Sequence, residues 1–351
     1  MDASLAWLWS PLFLFLLLLF TRLYLRTLWP GAPAPPPPSS LWSSEQCTLD
    51  GGTPTELLHF PAGQGSRSSG GGGKSPVHLL IFPGNPGSPY FYLDYATTLY
   101  LASGKRLPIT ICSHACHSVG STGVAGSRPR HYDLSAQVRH KAAIAAHLLR
   151  TSAAGKRLVL MGHSVGAYMC LEVMRALPEA AIARALLLFP TLLEIGSSPN
   201  GLSMMPLFRF GRWGLAALAL LVGALPLGLQ RGLARLRLPP DASPATVDAA
   251  LTIIHPLVGA NALYLAYTEM RDIRALDTAL ARRLAPRCMA FFGEGDGWNR
   301  PQDHCLVEEA FGGQGRVIFC REGHPHGFVV HPKSSAAVAE KCWEWLKDLL
   351  E

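Results

Sequence analysis

Residues 157–174 read RLVLMGHSVGAYMCLEVM, and this stretch decides the fold. The segment up to Met161 has the apolar composition of a buried strand, and the segment after the second glycine has that of a helix. Between them, Gly162 and Gly166 flank Ser164 in the G-x-S-x-G pattern of a nucleophile elbow, a turn so sharp that glycines are needed at both positions. The pattern predicts that strained backbone raises the Ser164 hydroxyl above the sheet edge. The alternative is a tight strand-to-helix turn with an unreactive serine.

A nucleophilic serine needs a histidine as its base and an acid that orients the histidine. In hydrolases that carry a nucleophile elbow, the three catalytic residues follow along the chain in the order Ser, Asp or Glu, His. The acid is expected after a late strand, and residues 288–293, CMAFFG, have the composition of one. The loop after them contains Glu294 and Asp296. Asp296 is preferred because it lies deeper in the loop, whereas Glu294 is close to the strand end.

The base is expected after the next strand, at residues 316–320. The chain has 13 histidines, so a histidine alone carries little information. His326 is preferred over His324 because it lies just before the loop turns toward the C-terminal helix. His331 lies past the loop, and His163 within the elbow is expected to point away from the serine hydroxyl. Both are interpreted as packing residues.

The oxyanion that forms when the serine attacks an ester carbonyl needs hydrogen-bond donors. The backbone N–H of Val165 is one candidate, because this residue begins the elbow helix. The other is expected after the early strand 77–82, in the loop PGNPG at residues 83–87. The N–H of Asn85 is the candidate there, since Pro86 has no N–H. The alternative is a plain Pro/Gly turn.

Seven segments of this chain resemble the lipid droplet-associated hydrolase family, a branch of the α/β-hydrolase superfamily. Together they extend from about residue 57 to the end of the chain. The segments are FPGNPG at 82–87, GHSVG at 162–166, LLFPT at 187–191, SPNG at 198–201, NALYL at 261–265, GEGDGW at 293–298 and PHGF at 325–328.

The resemblance implies a serine hydrolase of neutral lipid esters on lipid droplets and the endoplasmic reticulum, with cholesteryl ester as a suggested substrate. It places Ser164, Asp296 and His326 on the triad positions of the family. Two features depart from the family: the long apolar N-terminus and the Gly/Ser run at residues 63–73. The first bears on localisation, and neither bears on the chemistry.

The composition fits a protein at a lipid surface. The chain has 351 residues, of which 49% are hydrophobic and 16% charged, below the usual quarter for soluble domains. Its net charge of +7 comes without a nucleic-acid-binding motif, so an anionic phospholipid surface is the expected partner rather than nucleic acid.

The eight cysteines form no C-x-x-C pair, and Cys112 and Cys116 with their neighbouring histidines lack a second ligand cluster. No metal and no cofactor is therefore expected, and the thiols are interpreted as reduced.

The N-terminus, residues 1–29, is interpreted as a hydrophobic membrane anchor. Its apolar stretch is short for a bilayer span, so a helix or hairpin in one leaflet stays open. A signal peptide is disfavoured because there is neither a basic n-region nor an A-x-A site. Arg22 and Arg26 follow the stretch, which predicts that the catalytic domain faces the cytosol. Residues 30–56 are interpreted as a proline-rich linker and lead-in, and residues 57–351 as the hydrolase domain.

Strands alternate with helical segments along the hydrolase domain, which predicts an α/β fold with a doubly wound, mostly parallel sheet. The alternation stops at about residues 192–287, where a helical, apolar cap insertion is expected. Within it, residues 213–229 form a second apolar stretch, broken by Gly223 and Pro226 and followed by arginines. Two interpretations stay open: a cap helix packed over the site, and a hairpin inserted into a membrane.

Two functional classes remain. The first is a serine hydrolase that acts on lipid esters through an acyl-enzyme. The second is a catalytically weak or inactive protein that keeps the fold for binding at the droplet surface. The complete set of Ser164, Asp296, His326 and the elbow glycines favours the enzyme. The apolar stretches disfavour a third class, hydrolases of soluble short-chain esters.

Overall fold

The computed structural model describes residues 36, 38–49, 52–63, 75–118, 131–152, 155–312 and 316–351. The predicted anchor, residues 1–29, lies outside this part of the chain. So do most of the proline-rich spacer at residues 30–38 and most of the Gly/Ser run at residues 63–73.

The strands form one sheet, as the sequence predicts. Within the described residues they are β1 (Ser43–Leu49), β2 (Thr53–Phe60), β3 (Val77–Phe82), β4 (Ile109–Cys112), β5 (Arg157–His163), β6 (Ile182–Leu188), β7 (Cys288–Gly293) and β8 (Val317–Cys320). Their order in the sheet is β1-β2-β4-β3-β5-β6-β7-β8. All neighbours from β4 to β8 are parallel, whereas β1 and β2 pair antiparallel with each other and β2 pairs antiparallel with β4.

The sheet begins earlier in the chain than the sequence predicts. Residues 30–56 are expected to be linker and lead-in, yet β1 and half of β2 lie within this range, so the sheet begins at Ser43. β1 is an edge strand with mostly exposed, polar side chains, and it therefore lacks the apolar pattern of a buried strand. Gly52, with φ of +78°, lies in the turn between the two strands.

Helices cover both faces of the sheet. They are α1 (Leu93–Ala102), α2 (Leu134–Thr151), α3 (Val165–Ala176), α4 (Pro199–Pro206), α5 (Arg212–Gly223), α6 (Leu227–Arg235), α7 (Pro244–Ile253), α8 (Pro256–Asp272), α9 (Thr278–Leu284), α10 (His304–Ala310) and α11 (Pro332–Glu344). Along β3, Leu80 packs into the core under α2 and α3, and Leu79 packs into the core under α1 and α11. This alternation of buried residues on both faces is what a doubly wound sheet requires.

The cap insertion lies between β6 and β7 and consists of helices α4 to α9. The second apolar stretch forms α5 and the first part of α6, which separate at the predicted break near Gly223 and Pro226. Several large apolar side chains of these helices are exposed, among them Leu221 at 68% and Leu229 at 58%. In the described part of the chain no single helix has the length and apolarity to cross a membrane; α7 and α8 meet these criteria only as a pair, bent by 84°.

The parallel strands bring the predicted site residues to one edge of the sheet. Asn85 follows β3, Ser164 follows β5, Asp296 follows β7 and His326 follows β8. The carboxyl ends of parallel strands meet at the same edge, so residues far apart in sequence meet there. The cap covers this edge.

Candidate active site

The elbow at the end of β5 has the strained backbone that the sequence predicts. Ser164 has φ of +55° and ψ of −124°, a conformation that residues with a side chain rarely adopt. A Cβ atom on Gly162 would overlap the backbone of Gly166, and one on Gly166 would overlap the carbonyl oxygens of Phe82 and Pro83. Both glycines are therefore required by close contacts of the backbone.

The structure brings Ser164, His326 and Asp296 into one hydrogen-bonded series. Ser164 Oγ lies 2.9 Å from His326 Nε2, and His326 Nδ1 lies 2.7 Å from Asp296 Oδ2. The carboxylate also accepts hydrogen bonds of 3.0 Å from the backbone N–H of Trp298 and from Nδ2 of Asn299. These bonds fix the acid, the acid orients the imidazole, and the imidazole faces the hydroxyl.

Asp296 is held in its ionised form. Burial raises the pKa of this carboxyl, but the hydrogen bond and charge of His326 lower it, as do the bonds from Trp298 and Asn299. The net effect places the pKa of Asp296 below its usual value. An ionised acid here stabilises the positive charge that the imidazole acquires when it takes a proton.

The candidates that the sequence disfavoured lie outside this series. The Glu294 side chain is 62% exposed and lies 3.7 Å from Arg321. His324 Nδ1 lies 3.1 Å from Ser334 Oγ, and its Nε2 lies 3.2 Å from Glu322. Neither side chain is hydrogen-bonded to the elbow.

A second set of hydrogen bonds, which the sequence did not predict, joins three loops around the serine. His163 Nε2 lies 2.8 Å from the backbone oxygen of His326, which only accepts, so this nitrogen carries the proton. Nδ1 of the same ring therefore accepts, and it does so from the Tyr92 hydroxyl at 2.6 Å. The Tyr92 oxygen in turn accepts the backbone N–H of Gly84 at 2.7 Å. We call these residues the loop-fixing network: Gly84, Tyr92, His163 and the backbone of His326.

His163 stays neutral within this network. Burial, with a smaller contribution from the nearby His326 ring, lowers the pKa of His163 to about 3, although the hydrogen bond to the His326 carbonyl and the charge of Asp296 partly oppose this shift. The contacts of His163 agree with the prediction that its ring points away from the serine hydroxyl. The ring is not only a packing residue, however, because both of its nitrogens form hydrogen bonds. The sequence contains a signal for these hydrogen bonds. His163 lies at the end of a buried strand, and the nitrogens of a buried histidine ring need hydrogen-bond partners.

The two predicted oxyanion donors lie on either side of the serine. A Cβ on Gly84 would come 3.0 Å from Ser164 Cβ, so the loop that carries Asn85 lies against the elbow. Val165 is the first residue of α3, where backbone N–H groups have no partner within the helix. Within the described residues, the backbone N–H groups of Asn85 and Val165 have no acceptor. Both are therefore free to bind a ligand.

A cavity of about 710 Å³ opens above the serine, between the sheet edge and the cap. Ser164 and His326 are part of its wall. Most of the remaining wall is apolar and comes from the cap and from the loop after β3, including Phe91, Leu215, Leu218, Val222, Ile253 and Leu263. Such a cavity is suited to a long apolar ligand with a reactive group near the serine.

Two polar side chains in the cavity wall form a pair between the cap and the sheet edge. Asn85 Nδ2 donates to the backbone oxygen of Ala262 at 2.8 Å and to Glu269 Oε1 at 3.3 Å. Both of these acceptors are on α8. Burial raises the pKa of Glu269 to about 8, and the hydrogen bond from Asn85 only partly offsets this effect.

Two groups of potential metal ligands lie away from the serine. In the segment around Cys112 and Cys116, His117 Nδ1 donates to the Pro86 oxygen at 2.7 Å. This histidine therefore supports residues 83–87, which we call the oxyanion loop because they include the predicted donor Asn85. By spacing alone, one group among the described residues could hold an ion: Cys320, Glu322 and His324. The ring nitrogens of His324 are hydrogen-bonded to Ser334 and Glu322, and not to Ser164.

Comparison with known proteins identifies the family of this chain. Residues 75–329 match the model of the lipid-droplet associated hydrolase family. A lipid droplet-associated hydrolase of Homo sapiens is 32% identical over 270 residues, which cover 72% of this chain and 80% of that protein. One from Dictyostelium discoideum is 25% identical over 284 residues, covering 78% of this chain and 88% of its own.

Solved structures share the fold. A thermophilic esterase from Thermogutta terrifontis superposes with a TM-score of 0.55 at 15% identity, covering 88% of this chain and 100% of its own. A peroxisomal alpha-beta-hydrolase from Saccharomyces cerevisiae superposes with a TM-score of 0.61 at 13% identity, covering 88% of both chains. These likenesses confirm the predicted α/β-hydrolase fold, and the family match confirms the resemblance of the motifs. The chain belongs to the lipid droplet-associated hydrolase family.

Proposed function

We propose that this hydrolase cleaves lipid esters through a Ser164-His326-Asp296 triad and an acyl-enzyme. The observation that carries the proposal is the hydrogen-bonded series from Asp296 through His326 to the serine hydroxyl, at 2.7 and 2.9 Å. The strained elbow and the open cavity above the serine support it, because both are needed for a carbonyl carbon to reach Oγ.

The chemistry follows from these positions. His326 Nε2 takes the hydroxyl proton as Ser164 Oγ attacks the ester carbonyl, and the N–H groups of Asn85 and Val165 bind the oxyanion. The C–O bond to the alcohol then breaks, and His326 gives its proton to the departing oxygen. A water molecule, deprotonated by His326, attacks the acyl carbon. The bond to Ser164 Oγ breaks, His326 returns the proton to that oxygen, and the acid is released. The loop-fixing network keeps the base and the oxyanion loop in place during both steps.

The substrate class follows from the cavity wall. A long apolar wall gains free energy from burying hydrocarbon, at about 25 cal/mol per Å², which favours fatty acyl esters over small soluble ones. The names of the relatives associate them with lipid droplets, which store neutral lipid esters. Cholesteryl ester is one candidate within this class.

The exposed leucines of the cap suit a lipid surface as partner. Leu218, Leu221 and Leu229 are each more than half exposed, and Arg231 and Arg235 on α6 are also exposed. Apolar side chains beside arginines match the interior and the anionic headgroups of a phospholipid monolayer. We therefore place the enzyme on lipid droplets and the endoplasmic reticulum membrane, with its catalytic domain toward the cytosol.

The test is covalent labelling of the full chain with a fluorophosphonate probe, combined with hydrolysis of a long-chain ester. The wild-type protein is expected to be labelled, and Ser164→Ala is expected to lose labelling and at least about 10³-fold in turnover. Alanine fits the space of the serine, so the thermal unfolding midpoint serves as the folding control. A folded Ser164→Ala protein with wild-type turnover would contradict the proposal. A wild-type protein that takes no label yet binds droplets would favour the second candidate, a non-catalytic surface protein.

A further inference from the structure

One carboxyl group in the cavity wall has no part in the proposed triad. Glu269 is on α8 of the cap, lines the cavity, and is only 8% exposed. Its hydrogen bond to Asn85 Nδ2, at 3.3 Å, is long, and within the described residues it forms no ion pair. A buried carboxyl group without a cation is costly, and natural proteins keep such groups mainly where they serve a ligand or a reaction.

The orientation of Asn85 shows that this polar pair is incomplete. The amide nitrogen is fixed by the Ala262 carbonyl, at 2.8 Å, since turning the amide over would bring two oxygens together. Asn85 Oδ1 is buried and then lacks a hydrogen-bond partner among the residues that the structure describes. Glu269 and Asn85 thus leave hydrogen-bonding capacity unused on the wall that also contains Ser164.

The proton on Glu269 decides which ligand groups it can bind. Burial raises its pKa to about 8, so at neutral pH the group is mainly a neutral acid and a hydrogen-bond donor, and above pH 8 it is an acceptor only. An ester or ether oxygen only accepts. A hydroxyl group both donates and accepts, and it can therefore pair with Glu269 in either state.

We propose that Glu269 binds a free hydroxyl group of the substrate, which makes hydroxyl-bearing esters such as monoacylglycerols preferred over sterol esters. This inference rests on the proposed function of the same cavity. A sterol ester has no hydroxyl group and would cover Glu269 with hydrocarbon, leaving a buried polar group unpaired. Sites built to bind a hydroxyl discriminate strongly against analogues without it for this reason.

The experiment compares two esters that differ only in hydroxyl groups, 1-monooleoylglycerol and propyl oleate, each in the same mixed micelles. The quantity measured is the ratio of their kcat/KM values for the full-length wild type, Glu269→Gln and Glu269→Leu. The wild type is expected to prefer the glycerol ester by about tenfold or more. Glu269→Leu is expected to lower this preference by about tenfold. Glu269→Gln, which keeps a donor and an acceptor, is expected to retain most of it.

The outcomes separate this inference from the proposed function. If the Glu269→Leu protein loses activity equally on both esters, the residue only supports Asn85, and the inference is wrong. Equal kcat/KM values of the wild type for the two esters would also contradict the inference about Glu269. Hydrolysis of either ester that depends on Ser164 would still support the proposed function. Loss of folding in Glu269→Leu is checked by thermal unfolding. If Glu269→Leu does not fold, the wild-type ratio decides: a preference for the glycerol ester of about tenfold or more upholds the inference, and equal use of the two esters overturns it.

Discussion

His163 Nε2 donates a hydrogen bond of 2.8 Å to the backbone carbonyl of His326, so the residue before the proposed nucleophile Ser164 holds the loop of the proposed base. The same ring accepts from Tyr92, which accepts from Gly84. The proposed nucleophile, the proposed base and the loop of residues 83–87 are thereby fixed to one another by two buried rings. Catalysis depends on such alignment, because small displacements of reacting groups cost large factors in rate.

Tyr92→Phe is expected to lower kcat by about tenfold or more while changing KM little. The variant leaves the Gly84 N–H and His163 Nδ1 without their partner, which loosens both loops, but it does not alter the apolar cavity wall. Steady-state kinetics on a long-chain ester measures the two constants separately. Tyr100→Phe is the matched control, because the Tyr100 hydroxyl donates to the Pro61 carbonyl, which belongs to neither the triad nor the loop-fixing network. If both variants reduce kcat to the same extent, the network has no special role in positioning.

His326→Ala is expected to be as damaging as Ser164→Ala, whereas His324→Ala is expected to retain most of the activity. The residues of a triad act as a unit, so the loss of the base costs nearly as much as the loss of the nucleophile. His324 bonds Ser334 and Glu322 and not the serine. The measurement is the rate of ester hydrolysis together with fluorophosphonate labelling. If His324→Ala lost more activity than His326→Ala, His324 would be the base instead of His326.

The sequence predicted β3, β5, β7 and β8 because each is a short apolar run between turns or helices. It could not predict β1, whose polar side chains become a strand only by pairing with β2. In the site, the three triad candidates had local signals: the elbow, and the loops after two late strands. Tyr92 and Glu269 had none, since their roles depend on contacts with His163 and Asn85, which are 71 and 184 residues away in the chain.

The stability of the protein is expected to depend on pH through Glu269. The pKa of this carboxyl is about 8 in the folded protein, against an ordinary value of 4.5. Between these values the unfolded chain releases a proton that the folded protein keeps, so the free energy of unfolding falls as pH rises, by up to about 1.4 kcal/mol per pH unit. Glu269→Gln has no proton to lose, and its stability relative to the wild type should therefore increase from pH 5 to pH 8.

Urea unfolding of both proteins at several pH values measures this difference. All other ionisable groups are common to the two proteins, so their contributions to the difference cancel. A difference that does not change between pH 5 and 8 would mean that Glu269 is already ionised in the folded protein.

Deletion of residues 1–29 is expected to weaken membrane association without abolishing droplet binding. The cap should provide the remainder, because Leu218 and Leu221 on α5 are exposed and arginines follow on α6. Replacing Leu218, Leu220 and Leu221 by serine in the truncated protein should then remove droplet binding. Insertion of apolar side chains into a monolayer is favourable, whereas insertion of serine side chains is not. Co-flotation with artificial droplets of triolein and phospholipid, which include an anionic lipid, measures the bound fraction.

The matched control places the same change on exposed leucines outside the cap. Leu101 on α1 is 49% exposed and Leu306 on α10 is 39% exposed, so their replacement by serine in the truncated protein alters apolar surface without touching α5. This control is expected to float like the truncated parent. If the truncated protein with an intact cap stays in the aqueous fraction, α5 and α6 only cover the cavity, and the anchor alone carries the protein to the droplet. Equal losses in the cap variant and the control would mean that binding follows total apolar surface and has no docking site in the cap.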